Sequence, residues 1–137
     1  MKIRSRYAMP ASLALALALA SCGDSAGPSG GGCDEPITLT VSSSTSPSIS
    51  WTPACTVAEI QITQLNEPVD TLQLKWWVQS ETNSIRPPVS YGSTPPGATL
   101  LLGPKALFGG TQYLVTLLVR DPTTGEPFTA GSAQFTP

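Results

Sequence analysis

Residues 37–51 read ITLTVSSSTSPSISW, and this stretch decides how the rest of the chain is read. Ile37, Leu39 and Val41 alternate with threonines, and Ile49 and Trp51 alternate with serines. Strict alternation puts the apolar side chains on one face of an extended strand, so each half is a strand with one face to bury. Residues 42–46 between them are all Ser or Thr, which bend easily and bury nothing. The two halves are expected to form an antiparallel hairpin centred near Ser44. That register pairs Leu39 with Ile49 and Ile37 with Trp51, apolar against apolar. Continued outward, it sets Cys33 opposite Cys55.

A bridge between Cys33 and Cys55 would close the open end of the hairpin. By the loop-entropy estimate, a loop of about 22 residues contributes roughly 3 kcal/mol. The alternative is a free Cys55, with Cys33 bonded to another molecule. The chain has three cysteines, and the third has a different setting.

The first residues read MKIRSRYAMPASLALALALASC. Lys2, Arg4 and Arg6 make a cationic start, and residues 11–20 are an apolar run interrupted only by Ser12. That run is too short for a bilayer core, which takes about 20 residues. A charged start, a short apolar run and small residues at the break describe an export signal. Leu19-Ala20-Ser21-Cys22 resembles the lipobox of bacterial lipoproteins. The resemblance implies cleavage before Cys22, diacylglycerol on its sulfur and an acyl chain on the new amino terminus. Several chains on one residue anchor stably, at about 0.8 kcal/mol per buried methylene. The expectation is an exported protein, lipid-anchored to the bacterial cell envelope. Gly23 after Cys22, in place of Asp, points to the outer membrane.

Three of the seven basic side chains lie before Cys22, which leaves four against nine acidic ones, a net charge of −5. That balance excludes a nucleic-acid footprint and the basic face of a membrane-surface helix. Any membrane attachment comes from the lipid on Cys22. Residues 22–32 are rich in Gly and Ser and read as a flexible linker. Residues 33–137 are the size of one small domain.

Within that domain, short runs of Val, Ile, Leu, Thr and aromatics are cut by Pro, Gly, Ser and Asn. The reading is all-β: a two-sheet sandwich of about seven strands after the tether. Residues 57–65 form a strand with Ala58, Ile60 and Ile62 inward. Residues 71–80, TLQLKWWVQS, turn Leu72, Leu74, Trp76 and Val78 inward and leave Trp77 on the polar face. Residues 81–97 are turn-rich, with Pro87, Pro88, Pro95 and Pro96 around a short segment at 89–91. Residues 99–102 are a strand, and 112–120 turn Tyr113, Val115, Leu117 and Val119 inward. Thr124-Gly125 makes the turn into a last strand at 128–136.

Two local patterns resemble the fibronectin type III domain, a member of the immunoglobulin-like sandwiches. Ser50-Trp51-Thr52-Pro53 ends the second strand, and Leu107-Phe108-Gly109-Gly110-Thr111-Gln112-Tyr113-Leu114-Val115 opens the penultimate one. The resemblance covers about residues 36–137. It implies that Trp51 packs between the sheets and that Tyr113 is a tyrosine corner, its hydroxyl donated to the backbone near Leu107. It also implies that strand 112–120 shares a sheet with the strands at 57–65 and 71–80. The cysteine pair and the proline-rich segment at 86–96 depart from the family pattern. No Arg-Gly-Asp sequence is present, so integrin-type adhesion does not carry over.

The residues offer little for catalysis. There is no histidine, so the commonest general base is absent and Ser–His–Asp or Cys–His arrangements are excluded. Lys75 and Lys105 lack a Ser-x-x-Lys context. Glu67, Asp70, Glu81, Asp121 and Glu126 fall in expected turns. Three cysteines at this spacing hold no zinc, and Asp34-Glu35 read as a solvated strand entrance rather than a calcium site. The glycines at 30–32 lack the strand, lysine and helix of a phosphate loop. The expectation is a non-enzyme with no metal or cofactor.

Function then falls to the surface. Leu114 and Leu118 point away from the core, and Trp77 joins them in one apolar patch unless the proline segment or the tether covers that face. Arg86 and Tyr91, stiffened by nearby prolines, are further candidates for contact. Three readings follow. One is a module for protein–protein binding or adhesion. Another is a carbohydrate-contacting module that stacks sugars on Trp77 and Tyr91. The last is a structural subunit that joins copies of itself, or a larger surface assembly, through exposed edges.

Overall fold

A chain of short strands, each apolar on one side, buries those faces by closing into a barrel or by stacking two sheets. This one stacks. The computed structural model describes residues 33, 35–66 and 73–137. Its strands are β1 (Thr38–Val41), β2 (Ser48–Thr52), β3 (Glu59–Gln64), β4 (Leu74–Gln79), β5 (Val89–Ser90), β6 (Thr99–Leu102), β7 (Tyr113–Arg120) and β8 (Pro127–Phe135). They form a three-stranded sheet, β1-β2-β5, and a five-stranded sheet, β6-β4-β3-β7-β8, with every pair antiparallel. The all-β two-sheet sandwich expected from the alternation is the fold observed. The signal segment 1–21, the lipobox with Cys22, the linker 22–32, Asp34, Glu67, Asp70 and the start of the strand expected at 71–80 lie outside the described residues.

The core lies between the sheets. Ile49 and Trp51 come from β2, Ile60 and Ile62 from β3, Trp76 and Val78 from β4, and Tyr113, Val115, Leu117 and Val119 from β7, all buried. Each is a position that the period of two assigned inward. Trp51 also donates its indole N–H to the Cys55 carbonyl at 2.9 Å, which closes the corner after β2. The Tyr113 ring packs on Phe135 at 5.5 Å between centroids, with Leu107 buried in the same cluster. The Tyr113 hydroxyl accepts a hydrogen bond from the Phe108 N–H at 2.9 Å. The side chain thus reaches the backbone beside Leu107, but the backbone is the donor, the reverse of the expected polarity.

The β1–β2 hairpin forms two residues away from the expected register. Leu39 pairs with Trp51 and Val41 with Ile49. A shift of two keeps each side chain on its own face, so the core is unchanged. Pro47 explains the shift. In the expected register it would oppose Val41 inside the ladder, where it has no N–H to give. The connection widens instead: Ser48 N–H donates to Ser42 Oγ at 2.9 Å, and Ser42 N–H donates to the Ser48 carbonyl at 3.1 Å. Pro47 stays outside the ladder, and its carbonyl accepts the Tyr91 N–H at 2.9 Å.

Cys33 and Cys55 are joined in a disulfide, with Cα atoms 5.2 Å apart. They are not opposed in the observed register. The chains leave the ladder beyond Thr38 and Thr52, and the bridge closes the hairpin from outside it, with Cys33 in the core cluster.

Leu74 corrects another expectation. The β3–β4 pairing shifts after Ile62 and Trp76, so that Leu74 falls opposite Thr63 and Lys75 is the extra residue of a bulge. Thr63 is an outward position of β3, so Leu74 moves to the outer face instead of the core. The bulge turns the Lys75 carbonyl toward other partners. It accepts the Lys105 N–H at 2.9 Å, and the Tyr91 hydroxyl lies 3.2 Å away.

Candidate functional site

Two features of the surface are organised beyond what the fold requires. The first is on the outer face of the five-stranded sheet. Glu59 of β3 stands opposite Gln79 and Leu118, and Gln61 stands opposite Trp77 and Thr116. A carboxylate at an outward strand position is ordinarily hydrated, yet Glu59 is only 4% exposed. Its Oε1 accepts from Gln79 Nε2 at 3.0 Å and Arg120 Nη2 at 3.2 Å. Its Oε2 accepts from Trp77 Nε1 at 3.1 Å and Gln61 Nε2 at 3.3 Å. Four donors, one of them charged, replace the water that burial removed. Arg120 is held in turn. Its backbone N–H and carbonyl pair with the Asn83 amide at 2.8 and 2.9 Å, and Nη1 donates to the Gly125 carbonyl at 3.2 Å.

Trp77, Leu114 and Leu118 lie on this face, and each is half-buried. They are interleaved with Gln61, Thr116 and the Glu59 carboxylate, so the face is mixed and its centre is a saturated charge. Sequence reasoning misses Glu59, because its donors lie 2, 18, 20 and 61 positions away in the chain. The available signal was Trp77: an indole N–H on a polar face needs an acceptor.

The second feature lies at the side of the sandwich, where the chain crosses from β5 to β6. Ser84, Arg86, Pro88, Val89 and Ser90, together with Ser93, Thr94, Pro95 and Pro96, line a groove of about 460 Å³. The crossing is built of turns that glycine makes possible. Gly92 and Gly97 adopt φ of 81° and 76°, the left-handed region open to a residue without Cβ. The Ser93 N–H and hydroxyl both donate to the Ser90 carbonyl, at 3.1 and 2.6 Å. The Ala98 N–H donates to the Pro95 carbonyl at 3.1 Å.

Tyr91 roots this crossing. Its ring packs edge-on against Trp76 at 5.4 Å, and its hydroxyl donates to the Lys105 carbonyl at 2.5 Å. Burial pushes its pKa up to about 12. Tyr91 therefore anchors the loop rather than standing clear of it. Arg86 is the opposite case. It is exposed, and its guanidinium has no ion-pair or hydrogen-bond partner among the described residues. β6, which follows the crossing, exposes Leu100 and Leu101 at 40% and 44%. Phe108 and Phe128 are the other large apolar side chains open to solvent among the described residues.

Among the described residues, no group of three or more Cys, Asp and Glu is placed to hold a metal ion. No protein-family model, no curated protein and no solved structure matches the chain.

Proposed function

We propose that this protein is a non-catalytic, lipid-anchored module of the bacterial cell envelope, type III-like in fold, that binds another protein. The observation that carries the reading is the groove lined by β5 and residues 93–96, with the guanidinium of Arg86, unpaired among the described residues, in its lining. A surface that is rigid before it meets a partner loses little conformational freedom on binding. The export signal and Leu19-Ala20-Ser21-Cys22 support anchoring through lipid on Cys22, with the outer membrane favoured by Gly23. Facing sheets built on the first, second and fifth strands and on the third, fourth, sixth, seventh and eighth support the immunoglobulin-like assignment. The buried Trp51 and the Tyr113 corner support its type III form.

The carbohydrate-contacting reading has less to stand on. Tyr91 is packed on Trp76, and the Trp77 indole is bonded to Glu59, so neither ring is a free stacking platform. A structural role in self-assembly draws support from β6, an uncharged edge strand with two exposed leucines.

Mild-detergent extraction from native membranes, followed by sizing and identification of what co-purifies, tests the proposal. A distinct partner that is lost on Arg86→Glu supports it. A monomer with nothing bound contradicts it, and homo-oligomers favour assembly. In the same preparation, Cys22→Ser is expected to release the protein from the membrane, and unchanged retention would contradict the anchor.

A further inference from the structure

We infer that the groove beside β5 is a site for an extended, acidic polypeptide segment, with a carboxylate of that segment seated on Arg86. The inference rests on the protein-binding reading above and names the chemistry of the partner. The argument begins with charge. Arg120, the other arginine of the domain, is neutralised by Glu59 at 3.2 Å, whereas no acidic side chain lines the groove that holds Arg86. A guanidinium offers five N–H donors in a planar fork that matches a carboxylate. On a domain with an excess of acidic side chains, an exposed arginine with no partner among the described residues is a local point of opposite sign.

The walls narrow the ligand further. The lining mixes three prolines with four serine or threonine residues, which suits a main chain with small side chains more than a sugar. Ser93 is committed to Ser90 and Ser84 to Ser80, so the hydroxyls that stay open are those of Ser90 and Thr94. No aromatic ring lines the groove to stack a sugar face. β5 is the edge of its sheet, paired only with β2. This edge is two residues long and its Ser90 carbonyl is taken by Ser93, so an extended segment beside it is held by side chains and not by a ladder of main-chain hydrogen bonds. Pro88, Pro95 and Pro96 stiffen the lining, so the groove does not have to be formed by its occupant.

The test uses the detergent-solubilised mature chain and a fluorescein-labelled nonapeptide of alternating Glu and Thr. A Lys/Thr peptide and an oligogalacturonate serve as competitors, and binding is read by fluorescence polarisation. The Glu/Thr peptide is expected to bind. Affinity should fall about tenfold or more in Arg86→Ala, the scale of one charge-assisted hydrogen-bonded pair. It should also weaken between about 50 and 500 mM salt, where screening shortens severalfold. The Lys/Thr peptide should not compete. Arg86 is exposed, so the variant should keep the wild-type circular dichroism spectrum. Absence of binding, binding untouched by Arg86→Ala, or stronger competition from the oligogalacturonate would overturn the inference. If the co-purifying partner persists while the acidic peptide fails, the binding module stands and its acidic ligand does not.

Discussion

Glu59 and Arg120 stand 61 positions apart in the chain and meet as a 3.2 Å ion pair on the outer face of the larger sheet. The carboxylate is nearly sealed from water, and three further donors share it. Removing one partner of a buried pair costs about 3–5 kcal/mol, because the other keeps its desolvation penalty. Arg120 retains some solvent exposure, which screens the charge left behind, so Glu59→Ala is expected to cost less than that, about 2–3 kcal/mol. Urea unfolding measures it. A double-mutant cycle with Arg120→Ala should show clear coupling; strict additivity would mean the pair contributes nothing of its own.

The disulfide should matter on a similar scale. Cys33 and Cys55 close a loop of 22 positions, and constraining the unfolded chain over that span contributes roughly 3 kcal/mol. The Cys33→Ala/Cys55→Ala variant is expected to unfold at correspondingly lower urea. A non-reduced tryptic digest should contain the two peptides linked, and two free thiols would contradict the geometry.

Tyr91 makes folding sensitive to high pH. Burial keeps its hydroxyl neutral in the folded state up to a pKa of about 12, against about 10 for an ordinary tyrosine. The unfolded chain therefore loses this proton first. Stability from Tyr91 is complete below pH 10 and declines as pH rises toward 12. Tyr91→Phe should flatten that decline and cost about 1 kcal/mol at neutral pH, the value of one hydrogen bond. An unchanged alkaline profile in the variant would contradict it.

Gly131 of β8 leaves room for Ile37. A Cβ built on Gly131 would stand 2.6 Å from Ile37 Cγ1, closer than real contacts allow. Gly131→Ala is expected to destabilise by about 1–3 kcal/mol through overpacking. Combining it with Ile37→Ala should recover part of that loss. If Gly131→Ala is neutral, the two sheets do not approach as closely at this edge as described.

How much of this was legible in the chain depends on distance along it. Leu100 and its neighbours form a strand at 99–102, as their pattern indicates. The inward residues of β3 and β7 follow their period of two, since that period is local. The hairpin register failed at Pro47, whose missing N–H outweighed the symmetry of the apolar pairs. Leu74 was misplaced because a bulge at Lys75 inverts the alternation, and no residue type announces it. Glu59 escaped for a deeper reason: its burial exists only when β3, β4 and β7 lie side by side. The same holds for Tyr91, whose ring and hydroxyl are taken by Trp76 and Lys105 across the crossing. Arg86 stayed readable because no described residue claims it.

The central claim is that the groove of Arg86 is where this protein meets its partner. Site-specific photo-crosslinking in native membranes tests it most directly. A photoreactive residue replaces Ser93 on the groove wall and, as a control, Ser132 on the exposed face of β8. The account predicts one discrete adduct from position 93, none from position 132, and loss of the adduct when Arg86→Glu is added. Equal adducts from both positions, or an adduct from 93 that survives Arg86→Glu, would contradict it.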